Sequence, residues 1–171
     1  DEHEAAFREA TSAVAAITEC FEQAIEQGQL SLDQVFDRNY QLIPDSDPPK
    51  YTTQFDGFTD ANFHGIQEPI LSRNSFMAYA GAVDEKGYFP THNKRFSKPL
   101  TGDYAQDLLT NRTKRIFNDH TGSRCASNTK PFLLQTYKRD TGEVMHDLSV
   151  PVYVKGRHWG GFRIGYQSAI D

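Results

Sequence analysis

The sequence predicts an α+β domain in which five short antiparallel strands and a helical crossover follow a long N-terminal helix. Three observations carry that prediction. Pro131 to Tyr166 reads as three strands joined by tight turns. Glu2 to Gln27 contains neither Pro nor Gly and is dominated by Ala and Glu, as a helix requires. Ser75 to His92 reads as a hairpin, so strands flank a central helical stretch.

In the first helix Phe7, Ala10, Val14, Ile17, Phe21 and Ala24 fall at alternating steps of three and four. That spacing is a heptad seam with a polar opposite face. A seam so narrow on a helix longer than average favours pairing with a second copy, hence a homodimer. Lying on its own domain is the other reading. Gly28 suits the position just past a helix end, and Ser31-Leu32-Asp33-Gln34 has the form of a capping box. Asp45-Ser46-Asp47-Pro48-Pro49 is a run of breakers. It divides the chain into a helical extension, residues 1–44, and a globular domain, residues 45–171.

Within the globular part, Tyr51 to Ile70 has helical spacing that Pro69 should end near Glu68. Ser75 to Val83 alternates as a strand, and Asp84-Glu85-Lys86-Gly87 turns it onto Tyr88–His92. Tyr104 to Phe117 reads as the crossover helix, and Asp119 to Lys130 as turns. In the final meander, Asp140-Thr141-Gly142 and Lys155-Gly156 supply turns. Pro151 demands a sheet edge, bulge or strand start. An antiparallel sheet covered on one face by helices normally keeps a cavity between the two.

Composition limits the function. With 171 residues, 12 Phe and 8 Tyr there is material for a packed core. A net charge of −5 supplies no basic stripe for nucleic acid. No stretch is apolar enough to span a bilayer. Cys20 and Cys125 stand far apart and read as reduced thiols, which favours a cytosolic location. No nucleophile elbow, phosphate-binding loop or HExxH occurs, so no enzyme is expected. The six histidines lack zinc-motif spacing, and no CxxCH is present. No cofactor is therefore expected, although one free axial His in an apolar cavity would suit haem.

Ten residues are candidates for a small-molecule pocket: Tyr79, Tyr88, His92, Arg112, Arg115, Gln135, Tyr137, Asp147, Ser149 and Trp159. Aromatic walls with a few orienting polar groups are what such pockets use. Arg112 and Arg115 would favour an anion through forked hydrogen bonds. Equally, they could pair with Asp119 or Asp147 and hold the helix to the sheet. Trp159 lies in Gly156-Arg157-His158-Trp159-Gly160-Gly161, whose glycines allow close approach. It could cap the pocket or fill the core beneath the N-terminal helix.

The order of elements resembles the PAS-like fold and its Cache relatives. AVDEKGYFPTHN, NRTKRIFND, NTKPFLLQTYKRDTGE and DLSVPVYVKGRHWGGFRIGY look like a domain at the C-terminal end of some bacterial methyl-accepting chemotaxis proteins. FEQAIEQGQLSLDQVFDRNYQLIP is similar to the helical entry to that domain. The resemblance implies a cytoplasmic sensor module that binds a small ligand and signals through an N-terminal helix pair. It also implies contact with the chemotaxis kinase and coupling protein through the rest of a receptor. The alternatives are a ligand-free dimerisation module and a haem or metal redox sensor.

Overall fold

A computed structural model describes residues 1–138 and 142–168. Helix α1 spans Glu2–Glu26 and is followed by the single turn α2, Leu32–Val35. A small ladder pairs β1, Gln41–Leu42, with β2, Tyr51–Thr52. Helices α3, Asp56–Asn62, and α4, His64–Arg73, lead into β3, Met77–Asp84. Strand β4, Tyr88–Phe89, helix α5, Tyr104–Thr110, and strand β5, Arg115–Ile116, form a flap. Helix α6, His120–Ser127, precedes β6, Leu133–Lys138, β7, Val144–Val154, and β8, Arg157–Gln167.

The main sheet has four strands in the order β3-β8-β7-β6, all antiparallel. The fifth strand expected from the sequence is not in it. Tyr88 and Phe89 instead pair with Ile116 and Arg115 in a separate ladder. The reason lies at the outer edge of β3. Asn93 Oδ1 accepts from Ala80 N–H at 2.8 Å and Gln67 Oε1 from Ala82 N–H at 3.1 Å. Side chains have taken the bonds a fifth strand would make, which also closes an edge otherwise prone to aggregation. Pro151 stands beyond Ser149, the last β7 residue with a β6 partner, where β7 has only β8 beside it. Lys155 and Gly156 both have positive φ, 51° and 80°, and form the expected β7–β8 turn. Gly142 has φ 91°; Asp140 and Thr141 lie outside the described residues.

Alternation gives the sheet two unlike faces. One carries Leu148, Val150, Val152, Phe162, Ile164 and Tyr166, and α1 lies across it. Ala6, Ala10, Ala13, Ile17, Phe21 and Ala24 of the helix are buried there. Of the seam residues, Ala10, Ile17, Phe21 and Ala24 thus pack on the chain's own sheet, while Phe7 is exposed and Val14 half-buried. Phe21 is fully buried at the centre, its ring 5.1 Å from Trp159 and 5.2 Å from Phe63. A β-bulge between Met77 and Tyr79 turns Met77 to this face and leaves Tyr79 on the other. Helix α4 runs through Pro69 rather than stopping before it, because Ile70 and Leu71 are locked into the same core.

The opposite face is covered by α6 and the flap. The crossover helix ends seven residues earlier than its spacing suggests. After Thr110 the chain turns extended, Arg112 N–H bonds Phe96 O at 2.6 Å, and Lys114 adopts φ 64°. Arg112 therefore lies in a loop and Arg115 in a strand. Residues 120–127, expected as turns, form α6, whose Gly122, Cys125 and Ala126 are buried. Among the described residues no helix is long and apolar enough to cross a membrane.

This arrangement predicts a sharp contrast between two phenylalanines of one helix. Phe21→Ala should lower the unfolding free energy by about 3–5 kcal/mol, as for other buried aromatics. Phe7→Ala, at a position 39% exposed, should cost under about 1 kcal/mol. Urea unfolding of both variants checks this, and equal losses would contradict the docking of α1.

Candidate functional site

A cavity of about 120 Å³ lies between the flap and the sheet. Tyr79 of β3, Tyr137 of β6 and Arg163 of β8 rise from the sheet. Phe89, His92, Phe96, Arg112, Phe117 and Asp119 close over them from the flap. The sheet makes room by omitting side chains. A Cβ on Gly165 would sit 1.9 Å from the Tyr79 ring, and one on Gly81 2.3 Å from Phe89 Cζ. The alternation Gly161, Arg163, Gly165 thus leaves one cation standing on a bare strand face.

Arg163 is held from below. Its Nε donates to Asp147 Oδ2 at 2.8 Å and its Nη2 approaches the same oxygen at 2.8 Å. Tyr79 OH also donates to Oδ2, and the guanidinium lies over the Tyr79 ring, 5.3 Å from its centroid. Burial opposes the Arg163 charge, but the Asp147 carboxylate outweighs it and keeps the side chain well above the usual arginine range. Burial likewise pushes the Tyr79 phenol well above its ordinary value, so the hydroxyl stays a donor. Two buried atoms here, Asp147 Oδ1 of the pair and the neighbouring Ser149 Oγ, have no hydrogen-bond partner among the described residues.

His92 is the other buried titratable group of the cavity. It stacks on Phe89 with centroids 3.9 Å apart and planes 12° from parallel. Burial, then the charges of Arg112, Arg163 and Arg115, hold it well below the ordinary histidine value. Asn93 N–H donates to His92 Nδ1 at 2.8 Å. The ring proton of the neutral imidazole is therefore on Nε2, which makes His92 a donor there. Asp119 precedes α6 in the N-cap position but makes no side-chain capping bond. Cys125 of α6, buried on the same face of the sheet, has its thiol pushed up to about 12 by burial, which favours the protonated form.

Of the ten residues singled out from the sequence, Tyr79, His92, Arg112 and Tyr137 line this cavity, and Asp147 anchors its floor. Ser149 is buried two residues along β7 from Asp147. Gln135 does not line the cavity; its Nε2 donates to Thr121 O and ties α6 to β6. Arg115 lies over Phe117, 4.9 Å from the ring centroid. Tyr88 faces away, its hydroxyl 2.8 Å from Tyr51 O and 2.7 Å from Asp56 Oδ2. Trp159 is on the far side of the sheet, fully buried, with Nε1 donating to Val35 O at 2.9 Å. The partner of Asp147 is Arg163, not either arginine of the crossover. Arg163, Phe89, Phe96, Phe117 and Asp119 were not foreseen. A charged residue between two strand glycines was the available signal for Arg163. Among the described residues no three His, Cys, Asp or Glu side chains gather to hold a metal.

No family model matches the chain, and no curated protein matches it. Among the solved structures that match, two show the distance of the likeness. One is an extracellular ligand binding receptor from Desulfohalobium retbaense, at 14% identity and TM-score 0.40, covering 92% of this chain and 24% of that one. The other is the ligand-binding domain of the Pseudomonas aeruginosa amino acid chemoreceptor PctC, in complex with GABA. It is 17% identical with TM-score 0.36, covering 94% of this chain and 59% of that one. The chain thus spans about a quarter and about three-fifths of these neighbours. The first is titled an extracellular ligand binding receptor and the second a receptor's ligand-binding domain. The cytoplasmic placement expected from the sequence is corrected by this finding. The structure itself establishes an α+β domain, a long N-terminal helix packed on a four-stranded antiparallel sheet.

Proposed function

We propose that this chain is a sensor domain whose flap cavity binds a small carboxylate. One observation carries the reading: the cavity presents an arginine locked onto a rigid sheet. Arg163 is fixed by Asp147 and Tyr79, so a ligand meets a donor that has no rotamer freedom left to lose. Arg112, the Nε2–H of His92 and the Tyr137 hydroxyl add donors around the same space. Aromatic rings fill the remaining walls, as in other small-molecule sites. The volume of about 120 Å³ is well under the roughly 300–1,000 Å³ that drug-sized ligands occupy. It selects short compounds and leaves haem out of the proposal.

Asp119 favours a second reading, in which the carboxylate carries an amine at its other end. The Asp119 carboxylate lines the cavity and is not used to cap its helix. Occupancy would reach α1 through the sheet, since the helix packs on the reverse of the strands that hold Tyr79, Asp147 and Arg163. In a chemoreceptor this helix would pass the signal toward the kinase and coupling protein. Such a shift requires only a few kcal/mol of differential binding.

Calorimetric titration with acetate, propionate, succinate and GABA tests the reading. At least one should bind, and Arg112→Met should weaken that binding about tenfold or more. Binding of GABA but not of the plain acids, lost in Asp119→Asn, would select the second reading. If none binds, the carboxylate proposal fails. Gly165→Ala supplies a separate check. Its Cβ must displace the Tyr79 ring, so it should abolish binding while lowering stability by about 1–3 kcal/mol. Unchanged affinity in that variant would place the ligand elsewhere.

A further inference from the structure

A second group of titratable side chains lies on the other face of the sheet, beneath the first turn of α1. His3 Nδ1 is 2.6 Å from Tyr166 OH, and His146 Nδ1 is 2.9 Å from Thr136 Oγ1. The two imidazoles meet edge to face with centroids 4.7 Å apart, and His146 is only 9% exposed. His3 belongs to the helix, while His146, Thr136 and Tyr166 belong to three neighbouring strands of the sheet. The contact therefore joins the two layers of the fold at the N-terminal end of α1.

We infer that His3 and His146 form a proton-operated latch: as a neutral pair they hold the first turns of α1 on the sheet, and double protonation releases them. The first proton is tolerated. A protonated His3 can donate to the Tyr166 oxygen and so keep that contact, and Glu2 supplies a nearby negative charge. The second proton puts two cations edge to face across a part-buried interface, where water screens them less than in bulk. Burial, then the neighbouring His3, hold His146 below the ordinary histidine value, while Glu2 opposes them. Among the described residues, Glu4 and Arg8 of α1 share a surface groove with His3. Asp147 acts on Tyr166 from the opposite face. Glu143 is engaged at the end of the strand by Gln167, at 2.8 Å.

The sign follows from proton counting. The unfolded chain takes up a proton on His146 near pH 6.5, and the folded state resists it. Docking of α1 is therefore complete above about pH 6.5 and weakens as pH falls below it. The latch involves none of the cavity residues, so its fate is independent of carboxylate binding.

Two measurements on the same chain test it. In an NMR titration, His3→Gln should move the His146 midpoint upward toward about 6.5. In amide exchange, protection of residues 5–10, corrected for intrinsic rates, should fall at least tenfold between pH 7.5 and pH 5. That fall should be absent in both His3→Gln and His146→Asn, either of which carries the test if the other fails to fold. An undiminished fall in a folded variant would overturn the latch, as would constant protection in the unmodified chain or an unmoved His146 midpoint.

Discussion

The buried pair of Asp147 and Arg163 is the constraint around which one half of the molecule is arranged. Two full charges inside a small domain are costly to desolvate, and their mutual attraction repays that only with good geometry. Here both guanidinium contacts reach Asp147 Oδ2 at 2.8 Å, and the Tyr79 hydroxyl completes the same oxygen. The pair ties β7 to β8 and, through Tyr79, both to β3. It forces the face that bears it to remain polar, and it demands small neighbours, because the Tyr79 ring lies where a side chain on Gly165 would be.

Once that face is polar, the rest of the architecture follows. The apolar residues of β7 and β8 alternate onto the other side, where α1 covers them and Phe21 packs against Trp159, Phe55 and Phe63. The polar face receives no long helix. It is covered instead by a flap whose own contacts are local: Tyr88 to Asp56, Lys114 to Asp56 and Asp60, and Asn93 to the edge of β3. A greasy layer that fixes the sheet, backed by a polar layer under a loop-rich cover, is an arrangement in which ligand contacts can change without dismantling the core. This separation puts the cavity and the His3–His146 contact on opposite faces of one sheet.

Much of the fold was legible in the sequence. The glycine-free run of α1, the capping box at Ser31 and the β7–β8 turn at Lys155-Gly156 each have local causes, and local reasoning finds them. What was missed depends on tertiary contacts. Tyr88 and Phe89 have strand character, but only Asn93 and Gln67 folding back on β3 exclude them from the main sheet. Helical spacing from Tyr104 to Phe117 was overruled by Phe96 O capturing the amides of Arg112 and Thr113. Pro69 did not end its helix because burial of Ile70 and Leu71 outweighed the lost hydrogen bond. For the site, the aromatic and cationic residue types were recognised, and Tyr79, His92, Arg112 and Tyr137 do converge. Trp159 went to the core because its neighbouring glycines serve close strand packing. Arg163 passed unnoticed because its meaning depends on Asp147 sitting beside it across the ladder.

The central claim is that Asp147 and Arg163 act as one unit that organises the cavity floor. A double-mutant cycle in urea, using Asp147→Asn, Arg163→Met and the two together, measures this directly. If the account is right, each single change costs about 3–5 kcal/mol, because it leaves a buried charge unpaired. The double variant should then be no less stable than either single one. Losses that simply add would show that the two side chains act independently and would contradict the account.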